Sequence, residues 1–263
     1  MHRVTTFLAG ALLASAFSGA ALSADLPVKA APLAPVPAAY NWTGFYLGAN
    51  FGYGWGRGDT TFDPLPTAAI FVNLAPTTLG LTPRGALGGL QLGYNWQTGM
   101  MVFGVETDFQ WSGMDASVTQ APIIQNNGTP FPGAGFLTAS ERTDWFGTLR
   151  ARFGVTPVDR LLLYVTGGLA YGHVKYSADT DFRPVGTENY PASVSKTRAG
   201  WTVGAGAEWA FMPHWSLKAE YLYYDLGNES VTVNPAIPLP PFQVHYEWET
   251  RASVARVGVN YKF

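Results

Sequence analysis

Apolar and polar residues alternate along the stretch MVFGVETDFQWS, residues 101–112. Successive side chains of a β-strand point to opposite faces, so the alternation predicts a strand with two unlike faces. One face would carry the apolar residues Met101, Phe103, Val105, Phe109 and Trp111. The other face would carry the carboxylates of Glu106 and Asp108. A soluble sheet and a membrane barrel both contain such strands, but they turn opposite faces to the solvent.

The same alternation recurs in seven further stretches, which makes eight candidate strands. These stretches are 43–55, 87–96, 143–155, 161–172, 198–211, 215–224 and 252–263. The links between strands alternate between short (97–100, 156–160 and 212–214) and long (57–86, 113–140, 178–196 and 227–246). Such alternation is typical of outer-membrane barrels. We therefore predict an all-β fold, an eight-stranded antiparallel transmembrane β-barrel with short periplasmic turns and four long extracellular loops.

Aromatic residues on the apolar faces give a second indication of a membrane. In the predicted topology they fall near the two ends of the strands. The periplasmic set includes Phe45, Trp96, Phe103, Phe153 and Trp209, and the outer set includes Trp55, Trp111, Trp145, Tyr171 and Trp201. Aliphatic residues such as Val105 and Leu149 lie between the two sets. Aromatic rings prefer the interfaces of a bilayer, so this order favours a membrane barrel over a soluble lipocalin-like barrel.

The polar faces would line the interior of the barrel. They carry four acidic and four basic residues: Glu106, Asp108, Glu208, Glu220, Arg150, Arg152, Lys218 and Arg256. The alternation assigns Asp144 to the same face of its strand. An eight-stranded barrel is just wide enough for its own side chains, and buried charges are costly unless they are paired. We therefore predict a neutral, salt-bridged network that plugs the lumen; the alternative is an ion-conducting lumen.

The N-terminal residues predict export from the cytoplasm. Arg3 precedes an apolar run at 7–17, and small residues that suit cleavage follow it, so 1–24 is predicted to be a signal peptide. Residues 25–41 are rich in Pro and Ala and predict an extended periplasmic linker. The predicted outer-membrane barrel then occupies 42–263.

Composition excludes several classes of protein. The chain has no cysteine, so it has no disulfide framework. The formal charge is −2 and becomes −3 without Arg3, which argues against a nucleic-acid partner. No run of apolar residues after the signal peptide is long enough for a transmembrane helix. The segments 114–142 and 234–242 are rich in Pro, Gly or Asn and predict exposed, mobile loops where surface partners would bind.

Two segments resemble a known family. ADLPVKAAPLAPVPAAYNWTGFYLGANFGYGWG, residues 24–56, is similar to the start of the Omp25/RopB and Omp31 group of small alphaproteobacterial outer-membrane β-barrel proteins. VGVNYKF, residues 257–263, resembles the aromatic-ended signal that barrel-insertion machinery recognises, with Tyr261 and Phe263 as its aromatic residues. The likeness covers the signal peptide, the linker and all eight predicted strands.

The resemblance implies an envelope protein of the bacterial outer membrane with structural, permeability or host-interaction roles. Its expected partners are outer-membrane lipids and lipopolysaccharide, the barrel-assembly machinery, and host or surface ligands at the loops. Some members of the group are credited with haemin binding. His173 and His245 both fall near the predicted outer rim and are the candidates for it here, although no family binding motif maps onto them.

Little in the sequence indicates catalysis. An enzyme at the rim would need a nucleophile or an activated water beside a histidine and a carboxylate. Only His173 with Asp179 or Asp181, and His245 with Glu247, offer such a combination nearby in the chain. We predict a non-enzyme without catalytic, cofactor-binding or metal-binding residues. Its predicted function is to contribute to envelope integrity and surface interaction, and the alternative is a small-solute porin or a haemin receptor.

Overall fold

The structure, a computed structural model, describes residues 39–65, 73–130, 135–182, 189–234 and 243–263. The predicted signal peptide and residues 25–38 of the predicted linker lie outside the described residues, as does 235–242 of the second predicted mobile loop. Among the described residues, no helix has the length and apolar character needed to cross a membrane.

The described residues form a single antiparallel sheet of ten strands. The strands are β1 (Gly44–Gly56), β2 (Gly58–Pro64), β3 (Thr77–Leu81), β4 (Arg84–Thr98), β5 (Met101–Gln120), β6 (Phe136–Val158), β7 (Leu161–Asp181), β8 (Ala192–Ala210), β9 (Trp215–Val233) and β10 (Val244–Lys262). β1 pairs with β4 on one side and with β10 on the other, so the order β1, β4 and β5 to β10 closes on itself.

A second, smaller part of the sheet continues beyond this ring. β10 pairs with β1 up to Ala252, and from Trp248 to its start it pairs with β2, which in turn pairs with β3. We call the closed ring the cylinder and the part beyond it the extension. The extension consists of β2, β3 and residues 114–120, 136–143, 174–181, 192–198, 226–233 and 244–251.

The extension corrects the predicted loops. Apart from Thr43, Phe211 and Phe263, the eight predicted stretches fall within β1 and β4 to β10, but about half of the residues in the four links predicted as long loops belong to β-strands. β5 runs on to Gln120 and β6 begins at Phe136, so much of 113–140 is a strand pair rather than a mobile loop. β2 and β3 likewise lie within the predicted loop 57–86. The prediction was wrong here because alternation continues in these segments with the apolar residues on the other face.

The two parts of the sheet expose opposite kinds of side chain. On the cylinder, apolar residues point outward; Val105, Leu149 and Val203 are 46%, 54% and 48% exposed. On the extension, apolar residues such as Leu137 and Trp248 are buried inside, at 2% and 0% exposed. The interior is therefore polar along most of the cylinder and apolar in the extension.

The opposite end of the cylinder carries only short connections, and we call it the turn end. The connections are 99–100 between β4 and β5, 159–160 between β6 and β7, and 211–214 between β8 and β9. Gly99 has a φ of +60°, in the left-handed region that glycine adopts without strain. Such tight turns hold the paired strands in register, and the register decides which side chains meet inside the cylinder.

Candidate functional site

A network of buried ion pairs fills the middle of the cylinder, and Arg150 of β6 is its centre. Arg150 is 1% exposed. Its guanidinium lies 3.0 Å from Asp108 Oδ2 and 3.0 Å from Glu220 Oε1, and it also donates to Glu106. The β5–β6 register places Glu106 directly opposite Arg150. One guanidinium cannot neutralise three carboxylates, so further cations have to reach the same point.

Those cations come from β9 and β10. Lys218 Nζ lies 2.8 Å from Glu106 Oε1 and 2.9 Å from its Oε2. Arg256 donates from Nη2 to Asp108 Oδ2 at 2.9 Å and from Nε to Glu220 Oε2 at 2.8 Å. The side chains of all five residues are 0% exposed. Each carboxylate meets at least two cations, which offsets the cost of removing these charges from water.

A second group of contacts lies beside the first, toward the turn end. Arg152 Nη2 donates to Glu208 Oε2 at 2.8 Å, and its Nη1 donates to the Tyr46 hydroxyl at 2.6 Å. The guanidinium also lies 3.9 Å from the ring centroid of Tyr164, a cation–π distance. The Tyr46 hydroxyl in turn donates to Glu106 Oε2 at 2.6 Å. Tyr46 therefore connects the two groups of ion pairs.

The eight charged residues predicted for the interior thus lie together. Each is 5% exposed or less. Four carboxylates face four basic groups, so the network has no net formal charge. Its side chains are buried together in the middle of the cylinder. We call these residues the plug: Glu106, Asp108, Arg150, Arg152, Glu208, Lys218, Glu220 and Arg256.

Several uncharged residues that the sequence analysis did not single out complete the plug. Asn260 Nδ2 donates to Glu208 Oε1 at 2.7 Å, and Thr148 Oγ1 donates to Asp108 Oδ2 at 2.7 Å. Tyr164 donates its hydroxyl to Glu220 Oε1 at 2.8 Å. All of these residues occupy inward positions of predicted strands. The alternation of inward and outward positions could therefore have identified them from the sequence. Tyr46 and Tyr164 also occupy inward positions by this rule, but alternation alone does not indicate that their hydroxyls join the ion pairs.

Glycines on neighbouring strands make room for the two tyrosines. A Cβ atom at Gly93 of β4 would lie 2.3 Å from the Tyr46 ring. A Cβ atom at Gly206 of β8 would lie 2.5 Å from the Tyr164 hydroxyl. Both separations are shorter than van der Waals contact, so any larger residue would displace the ring above it. The inward glycines are therefore a packing requirement of the plug.

One predicted interior residue points outward instead. Asp144 pairs with the outward side chains of Arg142, at 3.0 Å, and Lys175, at 2.7 Å. The register between β6 and β7 shifts between Thr143 and Trp145. This irregularity changes the face to which Asp144 belongs, so simple parity along 143–155 gave the wrong assignment.

Above the plug, the interior changes to an apolar core. Trp248, Tyr246, Phe62 and Leu222 are each 1% exposed or less and belong to one packed cluster. Tyr246 and Trp248 of β10 lie 5.8 Å apart between ring centroids, and Tyr176 of β7 stacks on Trp248 at 5.4 Å. The cluster reaches down into the last layers of the cylinder.

Glu141 is a carboxyl within this apolar core. It lies on the inner face of β6 and is 2% exposed. Thr250 Oγ1 donates to Glu141 Oε1 at 3.2 Å, and Thr250 also contacts the hydroxyl of Tyr176. No basic group pairs with Glu141 among the ion pairs of the described residues. Burial raises the pKa of Glu141 from 4.5 to about 7, and the hydrogen bond from Thr250 only partly opposes the shift.

The turn end is closed by residues that precede β1. Trp42 is 2% exposed and packs with Val102, Leu162, Tyr164 and Ala210. Its backbone N–H donates to Gln97 Oε1 at 2.8 Å. Residues near both ends of the described barrel meet here, because Lys262 Nζ contacts the Asn41 carbonyl and lies 4.6 Å from the Tyr40 ring centroid.

The predicted assembly residues lie at this same end. Tyr261 packs edge-on against Trp215 at 5.1 Å and against Phe263 at 5.2 Å between ring centroids. The backbone N–H of Phe263 donates to the Phe45 carbonyl at 3.0 Å, while its side chain is 70% exposed. The C-terminal aromatic residues are therefore held by backbone pairing and remain accessible on the outer surface.

The two haemin candidates do not meet. His173 lies on β7 and His245 on β10, with β8 and β9 between them. His173 contacts Ser195 Oγ at 3.0 Å through Nε2 and stacks on Trp145. His245 Nδ1 contacts Thr232 Oγ1 at 3.0 Å. A single iron cannot be bound axially by both histidines in this arrangement.

The described residues contain no cluster of three or more His, Cys, Asp or Glu side chains suited to a metal ion. The His173 ring contacts Ser195 and Thr197, and the His245 ring contacts Thr232. The contacts found in the interior are charge pairs and apolar packing. None of these contacts assembles a nucleophile, a base and a carboxylate in sequence.

Comparison with known proteins gives consistent matches. A family model described as "Outer membrane protein beta-barrel domain" matches residues 9–263. The 31 kDa outer-membrane immunogenic protein of Brucella melitensis biotype 1 is 38% identical, over 96% of this chain and 98% of that protein. The 22 kDa outer membrane protein of Rhizobium leguminosarum bv. viciae is 34% identical, over 74% of this chain and 70% of that protein.

A solved structure is similar in fold. The crystal structure of the outer membrane protein OprG from Pseudomonas aeruginosa superposes with a TM-score of 0.51. The match covers 86% of this chain and 98% of that chain, at 12% sequence identity. At this identity the likeness concerns the fold alone.

Proposed function

We propose, from the premise that the chain belongs to the outer membrane protein beta-barrel domain family, that it is a structural, non-enzymatic outer-membrane barrel with a closed lumen. In this role it contributes to envelope integrity and presents the extension as a surface for interaction. A Brucella relative is named an outer-membrane immunogenic protein, and this name supports a part of the barrel that is exposed at the cell surface. The proposal depends on the closed lumen, because a closed barrel cannot act as a porin.

The proposed arrangement in the membrane has three parts. The eight strands β1 and β4 to β10 span the bilayer, the turn end faces the periplasm, and the extension stands outside the cell. Outward apolar residues on the cylinder support the first part, because they would otherwise face water. The short turns support the orientation, since the short connections of such barrels lie in the periplasm.

The observation that carries the proposal is the double obstruction of the interior. The plug crosses the cylinder with side chains that are 5% exposed or less, and the apolar core continues from it into the extension. A solute would have to break several charge-assisted hydrogen bonds and then enter a dry aromatic cluster. Charge-assisted hydrogen bonds are stronger than neutral ones, which supports a plug that stays closed.

Planar-bilayer recording of the purified protein tests the closed lumen. We expect no steady, large openings from wild-type protein that shows the heat-shifted gel band of a folded barrel. A general porin in the same bilayer serves as the positive control. Frequent, stable openings from folded wild-type protein would overturn the proposal and favour the small-solute porin, which is the principal alternative.

The haemin-receptor alternative has its own test. Haemin titration would be followed by its absorbance in wild-type protein and in a variant with His173→Ala and His245→Ala. We expect no specific spectral shift in either protein, because the two histidines lie on separate strands with other partners. A wild-type shift that the double variant loses would support the receptor instead.

We also propose that Tyr261 and Phe263 form the signal for barrel assembly. Their accessible outer surface at the turn end supports this role, since machinery in the periplasm would reach it. Deleting Phe263 is expected to lower the amount of folded protein in the outer membrane. Leu217→Ala, an outward substitution on β9, is the control. Normal membrane levels and a normal heat-shifted band after the deletion would exclude the role.

A further inference from the structure

A cleft opens in the outer wall of the sheet where the pairing of β10 with its neighbours is irregular. β10 pairs with β1 up to Ala252 and, in the same register, with β2 from Trp248; between the two strands the Arg57 backbone N–H donates to the Arg251 carbonyl at 3.0 Å. The register between β10 and β9 shifts between Glu249 and Arg251. The cleft has a volume of about 500 Å³. It lies beside this irregularity, at the point where Arg57 separates β1 from β2.

The walls of the cleft combine aromatic rings with arginines. Trp55 of β1 and Tyr223 of β9 line its lower part, and Arg57 and Arg251 line its upper part. Trp55 is 43% exposed and belongs to the ring of aromatic residues at the outer end of the cylinder. In the proposed orientation this ring marks the outer interface of the bilayer, so the arginines lie at the height of the lipid headgroups.

Arg57 is available to a ligand, and Arg251 is partly exposed beside its ion pairs. The guanidinium of Arg57 has no ion pair or hydrogen bond with any described residue; only its backbone N–H is used, donating to the Arg251 carbonyl at 3.0 Å. Arg251 pairs with Asp225 at 3.0 Å and with Glu249, but its side chain is still 46% exposed. A guanidinium group can bind a phosphate through two parallel hydrogen bonds. Because the Arg57 side chain has no ion pair with a described residue, it can bind a phosphate without first breaking such a pair.

We infer that this cleft binds the phosphorylated sugar headgroup of a glycolipid in the outer leaflet. Arg57 and Arg251 bind the phosphate, while Trp55 and Tyr223 pack against the apolar faces of the sugar and the upper acyl chain. Asp59 and Glu249 also line the cleft, which discriminates against a bare anion and favours a headgroup that adds hydroxyl donors. The inference rests on the proposed function for the orientation of the cylinder in the membrane.

The test measures retained lipid on the full-length chain. The protein is folded in nanodiscs of phosphatidylethanolamine with a minor fraction of bisphosphorylated lipid A, and bound lipid A is counted by native mass spectrometry. Parallel discs contain dephosphorylated lipid A or phosphatidylglycerol. We expect wild-type protein to retain bisphosphorylated lipid A in preference to both other lipids.

The variant Arg57→Gln with Arg251→Gln should bind lipid A at least roughly tenfold more weakly, the factor for losing one charge-assisted hydrogen bond. Arg142→Gln is the matched control, because Arg142 is an exposed arginine on β6 that lies outside the cleft. Equal retention by the double variant and wild type would overturn the inference. Equal retention of phosphatidylglycerol or of dephosphorylated lipid A would overturn the assigned chemistry.

The same samples separate this inference from the proposed function. The heat-shifted band and the conductance are recorded for wild type and for the double variant. If the double variant loses lipid A binding but is still folded and closed, the result supports the cleft and leaves the closed lumen unchanged. A conducting wild type that still retains lipid A would overturn the closed lumen and leave the cleft intact.

Discussion

The cylinder and the extension are built from the same strands but are packed in opposite ways. In the cylinder, β5 turns Val105 outward and Glu106 inward; in the extension, the same strand turns Asp115 outward and Met114 inward. Inward positions stay inward along the strand, and only their chemistry changes. The difference shows that the outward side chains match the medium around them. In the proposed arrangement this medium is hydrocarbon around the cylinder and water around the extension.

The two interiors therefore depend on different forces. The plug consists of charges that are stable only as a complete set, because each one would be costly to bury alone. The apolar core consists of side chains whose burial contributes individually and without strong directional requirements. Substitutions in the plug should act through unpaired charge, whereas substitutions in the core should act through lost contact and cavities.

The largest expected effect is removal of the central cation of the plug. Arg150→Met leaves Glu106, Asp108 and Glu220 with too few counter-charges, and we expect the free energy of unfolding to fall by about 3–5 kcal/mol, the usual cost of breaking a buried pair. Urea titration of the protein folded in phospholipid bilayers, followed by tryptophan fluorescence, measures this change.

Arg142→Met on the same strand is the control for Arg150→Met. The Arg142 side chain is 66% exposed and pairs with Asp144 at the surface. Exposed pairs of this kind contribute about 0–1 kcal/mol. Similar small losses for both variants would mean that water reaches the plug, and the contrast between the two regions would then be wrong.

The second effect concerns the apolar core. Leu137→Ala on the inner face of β6 removes a side chain that is 2% exposed, and we expect opening of the extension to become easier by roughly 2–4 kcal/mol through lost burial and a residual cavity. The rate of chymotrypsin cleavage within the extension measures this opening. The heat-shifted band reports on the cylinder and should persist.

Leu149→Ala is the matched control, twelve positions further along the same strand. Leu149 is 54% exposed on the outer face of the cylinder. Lipid chains fill the space that its truncation leaves, so no cavity forms and cleavage of the extension should not change. Faster cleavage after Leu149→Ala would show that the two regions unfold as one unit.

Much of the cylinder could be predicted from the sequence. Alternation in 101–112 and in the other stretches identified the strands, and the family resemblance and outer-membrane location are confirmed by the comparisons. The structure brings the eight charged interior residues together, because strand parity fixes which side chains share the interior. Which acid meets which base depended on register across several strands, which a single sequence does not specify.

The extension could not be predicted by the same rule. A strand such as VHYEW, residues 244–248, alternates clearly, but its apolar residues Val244, Tyr246 and Trp248 occupy inward positions. A search for apolar residues on the outward face takes such a segment for a loop. The exchange of apolar and polar faces along one strand is itself the missing signal. It indicates where the strand leaves the hydrocarbon.

The third effect is a pH response that belongs to the extension. Glu141 is buried without a cation, and it faces Tyr176 of β7, Thr250 of β10 and Tyr224 of β9. Its pKa is raised from 4.5 to about 7 by burial, so the closed extension binds the proton more tightly than the opened chain does. The associated stability is complete below the unfolded pKa of 4.5 and decreases as pH rises to about 7.

We therefore expect the extension to open more readily at pH 8 than at pH 5, by on the order of 1–3 kcal/mol. Glu141→Gln should remove this dependence. The rate of chymotrypsin cleavage is measured for wild type and for the Glu141→Gln variant at each pH. The ratio of the two rates cancels the pH dependence of the protease itself. Glu247→Gln, at an outward position of β10, is the control and should keep the wild-type profile. A flat wild-type ratio would mean that Glu141 is hydrated.

The smallest effect should come from the outer surface of the extension. Lys175 and Asp144 lie 2.7 Å apart, and the Lys175 side chain is 54% exposed. A double-mutant cycle with Lys175→Ala and Asp144→Ala should give a coupling energy of about 0.2–1 kcal/mol that shrinks toward zero in roughly 1 M salt. The same cycle on Lys218 and Glu106 should give a larger coupling that salt barely changes, because ions do not enter the plug. Equal salt sensitivity of the two couplings would contradict a sealed interior, even if both regions proved equally stable.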